Sequence, residues 1–348
     1  MKNYPFRNLV FQGGGVKALA YHGSLAVLEK VDLLNQIKRV GGTSAGALLA
    51  ALISMRLSVD EIVQVYQSVD YDRMKALRDT KSQDVTRLGS IQDRMAALNR
   101  FVTRFGVYEN SYPYEWMGDT IGRFCADGSR ATFADFRNLG FRDLHIVTTN
   151  VTKRTTEIFC AQATPDVAVV DALLMSQSIP FFYEALQFDG RSFGQGDHYA
   201  DGGILLNYPI HIFDKRRYVE NNRWFVNGVN WETLGCHLYT PVECPHHADE
   251  VHNIWSYTQH VVESLMEAQS VAFEASGTSQ RRSINISNCC ARTTDFGIRP
   301  YPDNKTYQQL VAAGTDAAEQ FLRTYDPPII RPFFRHLLDR LHNFIDSK

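Results

Sequence analysis

The residues best suited to nucleophilic chemistry centre on one serine between two glycines. Residues 40–49 (VGGTSAGALL) indicate a strand that stops at glycines, then Ser44, then a helix of small and apolar residues. In such a G-x-S-x-G turn, Gly42 and Gly46 lack the Cβ atoms that would collide as strand and helix close up. The helix N-terminus also places partial positive charge near the serine oxygen. The pattern predicts a nucleophile at Ser44, and a serine that only caps its helix is the alternative.

A second candidate is the run of three glycines that follows the first apolar strand. Residues 8–12 lead into Gly13, Gly14 and Gly15, and the apolar spacing from Leu19 onward predicts a helix. Successive glycines let backbone N–H groups turn toward a negative centre, and the helix adds its positive end. The loop therefore suits either the phosphates of a nucleotide or the oxyanion of an acyl-transfer intermediate.

The nucleotide alternative has one motif in its favour. Residues 13–18 fit the G-x-G-x-x-A form of a dinucleotide-binding fingerprint. That fingerprint expects an acidic residue at the end of the second strand, at about twenty residues' distance. The second strand here, residues 37–40, runs instead into Gly41 and the serine turn, and the sequence has no G-x-x-x-x-G-K-[ST] phosphate loop. The oxyanion role is therefore favoured.

A third candidate is a carboxylate at a tight turn. Asp201 is followed by Gly202 and Gly203, which allow another backbone to approach closely. Because Asp-Gly pairs mark many turns, this motif alone is a weak signal of function.

Composition limits the classes of function. The chain has 348 residues, 44% of them hydrophobic and 21% charged, with a formal net charge of -2, so there is no electrostatic reason to expect nucleic acid as a partner. Six cysteines without a C-x-x-C pair are typical of a reducing compartment. No apolar run suits a secretory signal or reaches the ~20 residues that span a bilayer. We therefore expect a cytoplasmic protein that meets membrane, if at all, from one side.

Strands and helices follow one another along the chain around these motifs. Further strands are predicted at residues 145–151, 155–160, 236–239 and 283–286, and helices at about 166–177, 249–275 and 307–325. Residues 58–127 are predicted to be helical. They suggest a lid over the serine whose apolar lining comes from Tyr108, Tyr112, Tyr114, Trp116 and Met117. The favoured alternative is that these side chains are core, packed against the sheet.

In this order and on these elements, the motifs resemble the patatin-like phospholipase family. Residues 13–17 match its glycine-rich oxyanion loop, residues 42–46 its nucleophile turn and residues 201–203 its aspartate motif. Residues 176–181 resemble its S-x-S-I-P segment, and residues 207–210 the stretch after its aspartate. The resemblance covers residues 8 to about 209. It departs at Ala18, where the loop usually has a last glycine, and at Met175, where alanine is expected.

The resemblance implies a three-layer α/β/α fold with a mostly parallel central sheet. We place a catalytic core at residues 8–210 with a helical insertion at about 58–127, a continuation of the same domain at 211–325 and an amphipathic helix at 326–348. The implied activity is that of a carboxylic ester hydrolase of phospholipase A or lysophospholipase type, acting on phospholipid or another acyl-ester lipid without metal or cofactor. Transfer of the acyl group to another alcohol is a close variant, and a non-catalytic lipid-binding protein is an alternative.

The resemblance also implies a Ser-Asp dyad with no histidine. Ser44 would be the nucleophile and Asp201 the base, and burial of the carboxyl would raise its basicity. The expected oxyanion donors are backbone N–H groups of Gly13, Gly14, Gly15 and Val16. Lys17 either holds a lipid phosphate or a nearby carboxylate, or is a solvated residue at the helix start.

Several other side chains have less specific interpretations. His22 and His198 could in principle approach Ser44, but structural roles are favoured. Cys244 begins a C-P-H-H stretch that lacks zinc spacing and is interpreted as a surface loop. Cys289 and Cys290 are interpreted as a buried pair of small residues.

The C-terminal tail has apolar residues at helical spacing with arginines between them. Such a basic amphipathic helix can lie in a membrane interface. The alternatives are packing on the same chain or on a second copy, which would make a homodimer.

Overall fold

A computed structural model describes residues 4–75, 91–244, 251, 254–274 and 276–327. In this part of the chain the strands are β1 (Asn8–Phe11), β2 (Arg39–Thr43), β3 (Gly106–Tyr108), β4 (Asp143–Asn150), β5 (Thr155–Cys160), β6 (Phe181–Tyr183), β7 (Leu186–Phe188), β8 (Asp197–Asp201), β9 (Phe225–Val226), β10 (Val229–Asn230), β11 (Thr233–Tyr239) and β12 (Ser283–Ser287). The helices are α1 (Tyr21–Lys30), α2 (Ala45–Ser54), α3 (Val59–Gln67), α4 (Ile91–Arg104), α5 (Ser111–Phe124), α6 (Phe133–Asn138), α7 (Val169–Gln177), α8 (Gly203–Leu206), α9 (Ile254–Glu274), α10 (Gly277–Gln280) and α11 (Lys305–Thr324).

The main sheet has the order β12-β11-β1-β2-β4-β8-β7, and β5 pairs with β4 outside this path. Strands β12, β11, β1, β2 and β4 run parallel, whereas β5 and β8 are antiparallel to β4 and β7 is antiparallel to β8. Helices flank this sheet, which confirms the predicted α/β fold with a mostly parallel central sheet. Strand β1, which lies between β11 and β2, is buried at every position, as expected of a parallel strand covered on both faces.

Strand β4 organises the site because it is long enough to pair with two strands in succession. Its residues 143–147 pair with β2, and its residues 148–150 pair with β8. Thr43 at the end of β2 is opposite Val147, and Asp201 at the end of β8 is opposite Thr148. The two strand ends that precede α2 and α8 are therefore neighbours.

The helices predicted between residues 58 and 127 are α3, α4 and α5, and residues 76–90 lie outside the described residues. Tyr108, Tyr112, Trp116 and Met117 are buried, and the Tyr114 hydroxyl donates to Asp171. These side chains belong to the hydrophobic core or pack against it, as the favoured interpretation expects. Trp116 and Met117 also line an apolar cavity that reaches Ser44.

The amphipathic tail is predicted at residues 326–348, of which residues 328–348 lie outside the described residues. Among the helices that are described, not one combines the length and apolar character needed to cross a membrane.

The bonding of two cysteines differs from what the sequence predicted for them. Cys244 and Cys290 form a disulfide that joins the loop after β11 to the loop after β12. The interpretation of Cys290 as one of a buried pair of small residues is therefore wrong. The loops meet only in the folded chain, so the 46-residue separation of the two cysteines gives no sequence signal of their pairing.

Candidate active site

Ser44 occupies the sharp turn between β2 and α2. Its φ of 55° and ψ of -127° are a conformation that L-residues rarely adopt. A Cβ on Gly42 would overlap the carbonyl oxygen of Gly46, and a Cβ on Gly46 would lie 2.6 Å from the carbonyl oxygen of Gln12. Both glycines therefore permit the close packing of strand and helix that the sequence predicted, and Ser44 projects from the bend.

The side chain of Ser44 contacts Asp201. Ser44 Oγ donates a hydrogen bond of 2.6 Å to Asp201 Oδ2. The contact follows from the topology, because β2 and β8 end beside one another on β4. A hydroxyl within this distance of a carboxylate can lose its proton to that carboxylate as it attacks an acyl carbon.

Burial sets the proton affinity of Asp201. The residue has no exposed surface, and its other oxygen, Oδ1, accepts a hydrogen bond of 2.7 Å from the Gly203 amide. Loss of hydration raises the pKa of the Asp201 carboxyl to about 7, although the hydrogen bonds from Ser44 and Gly203 oppose the increase. The carboxylate is therefore a much stronger base than an exposed aspartate.

Ser176 fixes the backbone of the turn, a role that the sequence did not predict. The Ser44 amide donates to Ser176 Oγ at 2.9 Å, and Ser176 Oγ donates to the Val147 carbonyl at 2.7 Å. The segment that contains Ser176 was recognised by its resemblance, but no residue type in it indicated which hydroxyl bonds to Ser44.

The backbone amides of the glycine loop differ in whether they have a hydrogen-bond partner. The Gly13 amide donates to the Asn207 carbonyl and the Val16 amide to the Thr293 carbonyl, each at 3.0 Å. The amides of Gly14 and Gly15 have no hydrogen-bond partner among the described residues. Of the four amides expected to bind an oxyanion, these two are free in this structure.

Two spaces open on Ser44. A cleft of about 760 Å³ is bounded by the glycine loop, β11 and α9, and its lining is about half polar and half apolar. We call it the polar cleft after its side chains Lys17, Asn207, His237, Glu263 and Glu267. An apolar cavity of about 100 Å³ lies on the other side of Ser44, and its lining includes Leu48, Tyr66, Trp116, Met117 and Leu174. The serine thus stands at the boundary between a polar and an apolar compartment.

Comparison with known proteins assigns the chain to a family. Residues 9–214, more than half of the chain, match the family described as Patatin-like phospholipase. The chain belongs to the patatin-like phospholipase family. The match contains the strands, loop and turn that carry Ser44 and Asp201.

Relatives of this patatin-like chain occur in viruses. A protein of Acanthamoeba polyphaga mimivirus is 30% identical over 209 residues, which are 60% of this chain and 61% of that protein. "Probable lipid hydrolase 463L" of Invertebrate iridescent virus 6 is 23% identical over 225 residues, which are 64% of this chain and 68% of that protein. The chain thus spans about three fifths of the mimivirus relative.

The fold also has a solved counterpart. The crystal structure of VipD from Legionella pneumophila superposes with a TM-score of 0.56 at 16% identity and covers 92% of this chain and 67% of that chain. At 16% sequence identity, this structural similarity shows only that the two chains share a fold.

Lys17 faces the polar cleft of the patatin-like site. Burial lowers the pKa of its ammonium group, while Glu267, Glu263 and Asp295 oppose the change. Lys17 is half-buried, so its ammonium group is partly solvated and also lies near three carboxylates.

The remaining sequence candidates lie apart from the reacting pair. His22 is buried, with Nδ1 3.0 Å from the Tyr307 hydroxyl, and the His198 ring packs on Phe105. In the described part of the chain, no three His, Cys, Asp or Glu residues are arranged to hold a metal ion.

Proposed function

We propose that this chain hydrolyses acyl esters of lipids with Ser44 as nucleophile and Asp201 as general base. The observation that carries the proposal is the 2.6 Å hydrogen bond between Ser44 Oγ and an Asp201 carboxyl whose pKa burial raises to about 7. Membership of the patatin-like phospholipase family and a relative named as a probable lipid hydrolase support it.

In the first half of the reaction, Asp201 accepts the Ser44 proton as Oγ forms a bond to the acyl carbon. The carbonyl π electrons move to oxygen, and that oxyanion faces the free amides of Gly14 and Gly15. A donor of this kind is worth about 3–4 kcal/mol in other acyl-transfer enzymes. When the carbonyl reforms, the alcohol leaves with the proton that Asp201 held, and the acyl group remains on Ser44.

In the second half, Asp201 takes a proton from water as the water oxygen attacks the acyl-enzyme. Collapse of the second intermediate returns that proton to Ser44 Oγ and releases the fatty acid. An alcohol that takes the place of water gives acyl transfer by the same steps.

The two compartments support a lipid as substrate. The apolar cavity beside Ser44 suits the acyl chain next to the ester, because each buried methylene contributes about 0.8 kcal/mol. The polar cleft suits the headgroup side. We therefore propose a carboxylic ester hydrolase of phospholipase A or lysophospholipase type, which would meet a membrane surface transiently to reach its substrate.

The test compares purified wild type with Ser44→Ala and Asp201→Asn. Each protein is incubated with a mixed lipid extract, and released fatty acids and lysolipids are measured by mass spectrometry. We expect release by wild type and loss of at least a thousandfold in both variants. Near-wild-type turnover in either variant would overturn the dyad.

A fluorophosphonate probe separates the hydrolase from the two alternatives. Labelling of wild type that disappears in Ser44→Ala supports the enzyme. A protein that binds lipid without labelling or turnover would be a lipid-binding protein, and nucleotide-dependent thermal stabilisation without labelling would favour a nucleotide-binding module.

A further inference from the structure

Two buried polar side chains in the cleft have unused hydrogen-bonding capacity. His237 is 2% exposed, and neither of its ring nitrogens has a hydrogen-bond partner among the described residues. Asn207 is 7% exposed, and its Oδ1 also lacks a partner there. Both residues line the polar cleft that opens on Ser44. Since buried polar groups are normally satisfied, this pair indicates a place where a ligand supplies the missing partners.

Asn207 lies close to the reacting serine, and His237 is connected to Asn207 through Tyr208. A Cβ built on Gly13 would be 2.5 Å from Asn207 Oδ1 and 3.1 Å from Ser44 Cβ, so these two side chains flank the same point of the glycine loop. The His237 ring packs on Tyr208, with 5.0 Å between ring centroids, and Tyr208 directly follows Asn207. The next residue of β11, Leu238, donates its amide to Gln12 at the start of the loop.

The surroundings hold both groups in place. Phe273 of α9 stacks on the His237 ring, with 3.9 Å between centroids and 22° between planes. The Asn207 amide donates to Gln269 Oε1 at 2.7 Å, and its carbonyl accepts from Gly13 at 3.0 Å. A ligand would therefore meet a preformed set of donors and acceptors.

The chemistry of the pair favours hydroxyl groups. Burial lowers the pKa of His237 to about 4, so near neutral pH its ring is uncharged and offers one N–H donor and one nitrogen acceptor. Asn207 Oδ1 adds an acceptor. A hydroxyl both donates and accepts, whereas a quaternary ammonium group can do neither. The cleft lining carries two carboxylates, Glu263 and Glu267, against one ammonium group, Lys17, which disfavours a multiply charged phosphate.

We propose that His237 and Asn207 form a binding site for the hydroxyl groups of a polyol, such as a glycerol headgroup, on the alcohol side of the ester. This inference rests on the proposed function, because it specifies the substrate of the same site. The hydroxyl groups come either from the headgroup of the lipid or from a free alcohol that accepts the acyl chain.

The activity test compares phosphatidylglycerol with phosphatidylcholine of identical acyl chains in mixed micelles. We expect wild type to have a higher kcat/KM for phosphatidylglycerol than for phosphatidylcholine. In His237→Phe, which keeps the aromatic packing, the ratio of the two kcat/KM values should fall by about fivefold to tenfold, as expected for one or two lost hydrogen bonds. Asn207→Leu should act in the same direction. His198→Phe, outside the cleft, is the matched control and should keep the wild-type ratio. Fluorophosphonate labelling of each variant verifies a folded site.

A binding test does not depend on turnover. Saturation-transfer NMR on the Ser44→Ala protein compares the soluble headgroups glycerophosphoglycerol and glycerophosphocholine, with and without His237→Phe. Stronger binding of glycerophosphoglycerol that His237→Phe removes supports the site, even if wild type hydrolyses no lipid and the proposed function fails. Equal binding of the two headgroups, or a preference that survives in His237→Phe, would overturn the assignment of the site to the lipid headgroup and leave only the acceptor alcohol, which the third experiment tests.

A third arm identifies the source of the hydroxyl groups. Free glycerol is added to wild type and to His237→Phe with a phosphatidylcholine donor, and acylglycerol is measured by mass spectrometry. Acylglycerol formation that falls in His237→Phe, together with an unchanged headgroup ratio, assigns the site to an acceptor alcohol. No effect of the variant in any of the three arms refutes the site.

Discussion

The backbone amide of Ser44 donates a hydrogen bond of 2.9 Å to the hydroxyl of Ser176. Ser176 lies in α7 and donates in turn to Val147 of β4, next to the residue that pairs with Asp201. One buried hydroxyl thus connects the turn that carries the nucleophile, a helix and the strand beside the base. We infer that Ser176 is a positioning residue that stabilises the unusual backbone of Ser44.

Ser176→Ala should therefore impair both stability and catalysis. It leaves the buried Ser44 N–H without its partner, which costs about 1–3 kcal/mol in the free energy of unfolding. We also expect kcat to fall by roughly tenfold, since small displacements of a reacting atom are costly. Urea denaturation and hydrolysis of a short-chain ester measure the two effects. Ser178→Ala is the control, because Ser178 Oγ bonds only to the Leu174 carbonyl of its own helix; equal losses in both variants would contradict the positioning role.

The pH dependence of hydrolysis should report the ionisation of Asp201. The base must be deprotonated, and burial raises the pKa of its carboxyl to about 7. We expect kcat/KM for a short-chain ester to rise with pH, close to tenfold per unit below about pH 6.5, and to level off above about pH 7.5. Buried His22, His145 and His237 do not account for this transition, because burial lowers their pKa values to about 3 or 4. A profile that is flat from pH 5.5 to pH 8.5 would contradict the assignment.

The same pKa makes a prediction about stability. The folded-state pKa of Asp201 lies above the unfolded value near 3.9, so the protonated carboxyl stabilises the fold, and this stabilisation is lost as pH rises from about 4 to about 7. Asp201→Asn removes the charge and keeps an acceptor oxygen. Its advantage over wild type in the free energy of unfolding should grow across that interval, reach a few kcal/mol and then stay constant. Denaturation at pH 5, 6, 7 and 8 measures the difference in the free energy of unfolding between the two proteins. A difference that does not change with pH would show that burial of the Asp201 charge does not destabilise the fold.

Local chemistry explains which parts of the site were predictable. The serine turn requires small residues at fixed positions. A Cβ atom at Gly42 or Gly46 would indeed collide with neighbouring backbone atoms. Long helices with regular apolar spacing were also placed well, since the predicted helix at 249–275 corresponds to α9 (Ile254–Glu274). Strand β8 was not predicted, because its sequence DHYAD is short and half polar. The sequence thus identified Asp201 without the strand that carries it.

Contacts between distant segments were not predictable in the same way. The Gly13 amide pairs with Asn207 and the Val16 amide with Thr293, and both carbonyl groups reach the glycine loop only through the tertiary fold. For the same reason the sequence could not show which of the four expected oxyanion-binding amides already donate hydrogen bonds within the protein and which are free. The unsatisfied ring of His237 was missed because a lone histidine in an apolar strand has no distinguishing pattern.

Two glycines of the loop should respond differently to alanine. Gly15 has a φ of 54°, and its Cβ would overlap the Thr293 carbonyl, so Gly15→Ala must displace a loop that carries a proposed oxyanion donor. Gly14 has an extended φ of -176°, and its Cβ would come too close only to the flexible end of Leu238, at 2.7 Å, with Lys17 at ordinary contact distance. We expect kcat to fall by about a hundredfold in Gly15→Ala and by much less in Gly14→Ala. Steady-state kinetics on a short-chain ester measure kcat in both variants. If Gly14→Ala is as impaired as Gly15→Ala, backbone strain at Gly15 does not explain the loss of activity.

The apolar cavity should determine which acyl chains react. Leu48 is four residues after Ser44 on α2 and lines the cavity, so Leu48→Phe removes room for about one methylene group of the acyl chain. We expect kcat/KM for a dodecanoyl ester to fall about fourfold relative to a butanoyl ester, because the longer chain loses burial that the shorter chain never had. Leu48→Met, which conserves side-chain volume, is the control and should keep the wild-type ratio. If Leu48→Phe lowers both rates equally, the acyl chain is bound elsewhere and Leu48 has only a packing role.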